Sequence, residues 1–486
     1  MKQSNLKKNT IYSTIKSIAS IVFPLITFPY ISRVLGVANV GKVNFSNSII
    51  SYFSLMATLG VNTYAIRECS KLKDKPEKLR LVASQIFSLN CITTIIAYIC
   101  LMFTLIVARP LDEYRGLICI QSMTILFTTL GTEWINTSFE DFKFITIRTV
   151  SLQILSLILM VLFIKEPEDY YKYAIISVMA SSGAGILNIF YRKGFCKIRF
   201  TTRIEIRKHL PPILMLFSLI LAQTIYCNSD ITILGLIKGD TEVGLYSTSV
   251  KIYNIVNAMV ASVTWVVMPK LSRAFAEVDY KSVNSNLRYA LNYIMVIGIP
   301  CLVGINVITP ELIECIAGKE YLGAVLSLRI LTISLLASFI SGFIGNLMML
   351  PSGRENICLR SAVISMILNI ILNIILIPKF GLNAAAATTA IAEIVGIFIK
   401  VPYIEKEIKI EKIHEILKGP VIGSIGIVII AGVVKIIINN VWIVSICTIV
   451  FSGIWYIIIL IVLKNEFIMS YIRKKEKNNC RGFFDL

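Results

Sequence analysis

The chain has 486 residues, 56% of them hydrophobic and only 16% charged, against about 45–50% and about 25% in a soluble domain. The apolar residues gather in repeated runs of about 20, the length that crosses a ~30 Å hydrocarbon core as helix. This excludes a soluble globular enzyme and predicts an all-α polytopic membrane protein. The net charge of +19 crowds into a few loops, which is the orientation signal of a membrane protein and not a nucleic-acid footprint, so no nucleic-acid partner is expected.

In chain order, basic residues precede a first apolar run that is too long for a signal peptide and lacks a small-residue cleavage site, so it reads as a retained first span. Fourteen spans are expected near 11–34, 40–66, 81–108, 115–139, 143–164, 171–191, 211–237, 242–268, 286–309, 322–350, 357–377, 383–404, 417–438 and 442–463. An even number puts both termini on one side. Loops on that side hold about 35 Lys and Arg and the others about 11. The positive-inside rule therefore makes both termini cytoplasmic, in a multi-pass plasma or inner membrane protein. The basic loops, among them 67–80 and 192–209, also meet anionic membrane lipids.

The first and second spans join at Val34–Gly41, V-L-G-V-A-N-V-G, followed by the polar run Asn44–Ser48. The pattern returns later. Ile233–Gly235 echoes Val34–Gly36 at an offset of 199, and Val243–Gly244 echoes Val40–Gly41 at 203. The second copy is read as carrying four extra residues. The echo predicts two six-helix lobes built as parallel pseudo-repeats around a central cavity, plus two extra C-terminal helices. The expected division is an N-lobe at 1–191, a basic cytoplasmic linker at 192–210 and a C-lobe at 211–404. Spans 13 and 14 follow at 405–463, then a basic cytoplasmic tail at 464–486.

Eleven cysteines stand singly, with no C-x-x-C pair, and only His209 and His414 are present. Neither a disulfide framework nor a metal site is indicated. There is no P-loop, dinucleotide fingerprint or H-E-x-x-H, so no cofactor is expected and catalytic residues are set at none. The outward loops are short, the longest about twelve residues near Thr309–Tyr321. That argues against a membrane polymerase or glycosyltransferase, which needs external structure to hold catalytic groups.

Ionisable groups inside spans are costly in lipid and mark cavities. Lys251 lies nine residues into span 8, about 14 Å deep at 1.5 Å per residue. Ser247, Lys251, Asn254, Ala258 and Ala261 share one helical face. Subtracting 203 gives Asn44, Ser48, Ser51, Leu55 and Thr58 in span 2, a second polar stripe. Lys16 in span 1 is a further candidate for the cavity wall. Pro24 and Pro29 predict a bend in the same span. Arg148, Arg288 and Arg360 stand just inside the cytoplasmic ends of spans 5, 9 and 11, where together they would make a cavity mouth cationic. Glu133, Asp230 and Glu393 are candidates for binding sodium or a proton, or for pairing with a buried base. A path lined by Lys and Arg suits phosphate or pyrophosphate through charge-assisted hydrogen bonds.

Phe28–Gly41, Ala65–Glu68 (A-I-R-E), Glu133–Arg148 and Asn373–Thr389 together resemble the polysaccharide repeat-unit flippases. These are the Wzx-type members of the multidrug/oligosaccharidyl-lipid/polysaccharide exporter superfamily. The resemblance covers essentially the whole chain. It implies two lobes facing each other across a V-shaped cavity, and alternating access driven by an ion gradient. It also implies transfer of undecaprenyl-pyrophosphate-linked oligosaccharide for O-antigen, capsule or another surface polysaccharide. Lys16 and Lys251 stand where the family has basic residues in its first and eighth spans. Where many relatives have F-F-Q-G after E-W, this chain has Ile135–Asn136–Thr137–Ser138, so the resemblance points to no particular sugar.

The function expected is a flippase for such a polyprenyl-pyrophosphate-linked glycan, with membrane lipids, sodium or protons, a polysaccharide polymerase and glycosyltransferases as possible partners. A multidrug or metabolite-cation antiporter of the same fold, or a flippase for the peptidoglycan lipid precursor, is the alternative reading.

Overall fold

Hydrocarbon offers no partner for a backbone N–H or C=O, so a spanning chain must satisfy these groups internally. A computed structural model describes residues 6–469, and every regular element among them is helical. Most of the basic tail expected at 464–486 lies outside the described residues. Among the described residues, twelve helical runs are long and apolar enough to cross a membrane. The first, Lys8–Ser70, has 63 residues and as one helix would measure about 95 Å, three times a ~30 Å core. It is broken at Gly36, where φ is 72° and ψ is 173°, and so supplies two crossings. The 17-residue helix Arg115–Gly131 adds one more, consistent with the fourteen spans expected.

The chain divides into two compact units, residues 1–244 and 245–486. The first holds spans 1 to 7 and the opening of span 8. Span 1 (residues 6–35) and span 2 (37–58) are followed by span 3 (Pro76–Val107), span 4 (Arg115–Gly131) and span 5 (Phe142–Phe163). Span 6 is made of Tyr170–Ser182 and Ala184–Tyr191, and span 7 is Ile206–Lys238. A core of Val61, Tyr64, Ala83, Ile86, Trp134 and Ile135 packs one end of this unit.

The second unit holds most of span 8 (Asp240–Ala276), then span 9 (Tyr280–Val307), span 10 (Val325–Gly342), span 11 (Glu355–Phe380) and span 12 (Leu382–Lys400). Span 13 (Ile413–Ile437) and span 14 (Val441–Val462) pack on span 9. Val296, Ile427, Tyr456 and Leu460 form that contact, and the Tyr456 hydroxyl donates to the Val296 carbonyl at 2.7 Å. The outer faces of these last two helices carry exposed Ile429, Ile436 and Ile457, as a surface facing lipid requires.

The repeated hairpin needs one correction. Gly239 separates spans 7 and 8 with φ 85° and ψ −172°, nearly the conformation of Gly36. Gly36 and Gly239 differ by 203, the offset that also relates Gly41 to Gly244. The register is therefore uniform, with no four-residue insertion. The Ile233–Gly235 echo has a separate cause: Gly235 is helical, and a side chain there would meet the Phe45 ring at 2.2 Å. Both turn glycines hold positive φ, where L-residues are strained.

Just after each turn the two copies touch reciprocally. A Cβ on Gly41 would lie 1.9 Å from the Asp240 carbonyl oxygen, and one on Gly244 would lie 2.1 Å from the Val37 carbonyl oxygen. Val37 and Asp240 are again 203 apart, so this is the self-complementary contact of a pseudo-two-fold pair. Because backbone carbonyls block both positions, Gly41→Ala and Gly244→Ala are each expected to destabilise the protein by about 1–3 kcal/mol or more. Gly453→Ala, whose Cβ would meet nothing within 4 Å, is the neutral control. Thermal unfolding in detergent measures all three.

Candidate functional site

The site begins with a helix break. Span 4 stops at Gly131, and Thr132 takes a left-handed turn (φ 46°, ψ 47°) before a short helix, Glu133–Ser138. A β-branched residue avoids this conformation, so neighbours must hold it. They come from the end of span 6. Arg192 Nη1 donates to the Leu130 carbonyl at 2.9 Å and to Thr132 Oγ1 at 2.5 Å. Asn188 Nδ2 donates to the Gly131 carbonyl and to Asn136 Oδ1, both at 2.7 Å. The carbonyls released by the break are thus satisfied by side chains.

The turn aims Glu133 between two cations. Its Oε1 accepts from Lys16 Nζ of span 1 at 2.7 Å, and its Oε2 accepts from Arg148 Nη2 of span 5 at 2.7 Å. Arg148 has only 2% of its side chain exposed, against 35% for Lys16 and 41% for Glu133. The Arg148 guanidinium also lies 5.4 Å from the Phe144 ring centroid. Its Nε and Nη1 have no hydrogen-bond partner among the described residues. A cavity of about 370 Å³ opens beside the cluster, bordered by Lys16, Glu133, Asn62, Thr128, Thr137 and Ser181. Glu133 thus sits between two cations, with Asp141 as a second carboxylate near Arg148, and hydroxyls, an amide and apolar Ile66, Phe127 and Trp134 line the cavity. Such a site can hold an anionic group, or exchange a proton or cation at Glu133.

The other residues singled out from sequence occupy several places. Ser48 is 1% exposed, donates to the Phe45 carbonyl at 2.7 Å and shares a hydrogen bond with Thr232 at 2.9 Å. Tyr52 reaches the same Thr232 hydroxyl at 3.0 Å. Asn44 is half-buried and Asp230 is buried, both in the first unit. In the second unit Ser247 is buried, Lys251 half-buried and Asn254 exposed, which grades the span 8 stripe from packed to open. Glu393 is half-buried in span 12, and Arg360 is exposed on span 11.

Two arginines assigned to a cationic mouth are tied elsewhere. Arg148 faces Glu133. Arg288 holds Glu466 through Nε and Nη2 at 2.9 and 2.8 Å and Glu415 at 3.2 Å, which fastens both extra helices to span 9. Sequence reasoning passed over Lys400. It is buried at the end of span 12, where it donates to the Ser341 carbonyl and hydroxyl at 3.0 and 2.7 Å. At the end of an apolar run, a lysine reads the same whether it is packed inside or reaches the interface. Thr132 carried no turn signal at all.

Comparison with known proteins adds a family and a fold. Residues 6–275 match the family described as "Polysaccharide biosynthesis protein". A putative O-antigen transporter of Escherichia coli (strain K12) is 22% identical over 270 residues, 55% of this chain and 65% of that one. The chain thus covers just under two thirds of that relative. A putative O-antigen transporter of Shigella dysenteriae is 21% identical over 385 residues, 77% of this chain and 94% of that one. The solved structure of the lipid II flippase MurJ in an inward closed conformation superposes with a TM-score of 0.74 at 19% identity, covering 96% of this chain and 99% of that one. At that identity the likeness shows a shared fold.

The ion triad has a measurable consequence. Glu133→Ala leaves buried Arg148 without its carboxylate and is expected to cost about 2–3 kcal/mol, below the usual figure for a buried pair because Glu133 is partly exposed. Glu133→Ala/Arg148→Met is expected to recover much of that loss. Thermal unfolding of the single and double variants measures the coupling.

Proposed function

This chain belongs to the polysaccharide biosynthesis protein family, and on that premise we propose that it is a flippase for undecaprenyl-pyrophosphate-linked oligosaccharide repeat units. It carries them across the cytoplasmic membrane for surface polysaccharide assembly. The observation that carries the reading is the pair of cationic groups set inside apolar spans: Lys16 with Arg148 around Glu133, and Lys251 on the polar face of span 8. The physical task is to move a pyrophosphate and a polar glycan through hydrocarbon while the polyprenyl tail stays in lipid. Cations held in a low-dielectric wall bind phosphate oxygens strongly. Cleaving no covalent bond, the protein needs only to expose its site to each side in turn.

Glu133 is the first candidate for the coupling step. A proton or sodium ion on its carboxylate weakens its hold on Lys16 and releases that cation toward the substrate. Asp230 and Glu393 are further coupling candidates. The basic loops support cytoplasmic termini, the side on which glycosyltransferases build the repeat unit; a polymerase acts on the delivered product. A cation-drug antiporter is disfavoured by the basic side chains, Lys16, Arg148 and Lys251, set inside the spans. The peptidoglycan lipid precursor shares the lipid-pyrophosphate chemistry and remains the rival reading, distinguished by whether loss of the gene stops wall synthesis or only surface polysaccharide.

The direct test replaces Lys251. With Lys251→Ala at normal protein level, surface polysaccharide is expected to fall at least about tenfold, the loss of one charge-assisted contact. Export at the wild-type level would remove Lys251 from the mechanism.

A further inference from the structure

Span 8 carries a side chain that the proposed transport cycle leaves unused. Trp265 is 82% exposed. Its helix packs through Val256, Val260, Val263 and Val267, all buried, and Trp265 stands on the opposite side. At 100° per residue it falls on one line with Ser247, Lys251, Asn254, Ala258 and Ala261, all within about 40°. Asn254, Ala258 and Ala261 are exposed along that line.

The composition of this face says what surrounds it. Interfacial tryptophans normally anchor helices at the lipid headgroups, but a face that presents Lys251 and Asn254 cannot be turned to hydrocarbon without large cost. Trp265 shares that face. The two alanines keep the surface low between Asn254 and the indole. Three residues earlier on the same helix, the Ser262 hydroxyl meets the Tyr293 hydroxyl at 3.0 Å. The position equivalent to Trp265 in the first copy, 203 residues earlier, is Asn62, which borders the Lys16–Glu133 cavity. Both copies therefore end the stripe on an exposed side chain.

We propose that Trp265 is a sugar-stacking platform: its indole face takes the C–H face of a pyranose in the glycan portion of the substrate, while Lys251 takes the phosphate end. An aromatic ring with one apolar face and a polar edge suits such a ring. The fourteen residues from Lys251 to Trp265 span about 21 Å of helix, the reach of an oligosaccharide and not of a single sugar. The proposal rests on the reading of the substrate as a lipid-linked glycan.

The test uses the full-length protein in cell membranes. Trp265→Leu keeps the apolar bulk and removes the ring; Trp265→Phe keeps a ring. Surface polysaccharide is expected to fall about fivefold or more with Trp265→Leu and to be largely retained with Trp265→Phe, at equal protein level. A thiol reagent too polar to enter lipid is expected to label Trp265→Cys, and labelling is expected to drop when the upstream glycosyltransferases are active and supply the lipid-linked repeat unit. Normal export by Trp265→Leu, or no labelling of Trp265→Cys, overturns the platform while leaving the flippase reading intact. Unchanged surface polysaccharide in a strain lacking the gene overturns both.

Discussion

A charge placed in hydrocarbon has to find its counter-charge or hydrogen-bond partner within the protein. That constraint explains the polar architecture of this chain. Arg148, almost wholly enclosed, is held by Glu133, and Glu133 in turn holds Lys16. Arg288 takes two carboxylates, Lys435 pairs with Glu311 at 2.8 Å, and Lys400 caps the Ser341 carbonyl. These contacts divide into two kinds. Those of Arg288 and Lys435 connect the extra helices to span 9 and to the short helix Thr309–Ile316 that follows it. The Glu133 cluster instead borders a cavity and leaves Arg148 Nε and Nη1 without a hydrogen-bond partner among the described residues, which is why it is the candidate site.

The second theme is a duplicated unit whose copies diverge. The hairpins at Gly36 and Gly239 keep the same backbone turn and the same reciprocal glycine contact, because backbone lies against backbone there and no side chain fits. Beyond the hairpins the copies part. Span 2 ends at Thr58, followed by Leu59 and Gly60 at φ 42° and 76°, whereas span 8 continues without a break to Ala276. In the first copy the stripe position of Ser48 is sealed by Thr232; in the second the same position is Lys251. Asn62 borders a cavity in one copy, and Trp265 stands exposed in the other. Equal folds thus carry unequal chemistry.

The helix break at Thr132 shows how the site depends on packing from a distance. A left-handed threonine persists only where its surroundings over-determine it. Arg192 and Asn188, more than fifty residues later, supply hydrogen bonds that a continuous helix would have made internally. The turn then offsets Glu133 from the axis of span 4, so that its two oxygens face two different helices.

Hydropathy averaged over about twenty residues is a local property, so the sequence by itself determined the spans, the hairpin after Gly36, the excess of basic loops and the polar stripes of spans 2 and 8. It also singled out Lys16, Glu133 and Lys251, because an ionisable residue inside an apolar run is visible without any structure. Which of them meet was not visible. Lys16 and Glu133 are 117 residues apart, and their contact depends on how spans 1, 4 and 5 are rotated about their axes. The repeat register was half legible: Val243–Gly244 gave the offset of 203, but Ile233–Gly235 misled, since a helical glycine packed on Phe45 and a turn glycine look alike in sequence. Only the tertiary structure decided these points, because rotation and close approach are set by packing among helices distant in the chain.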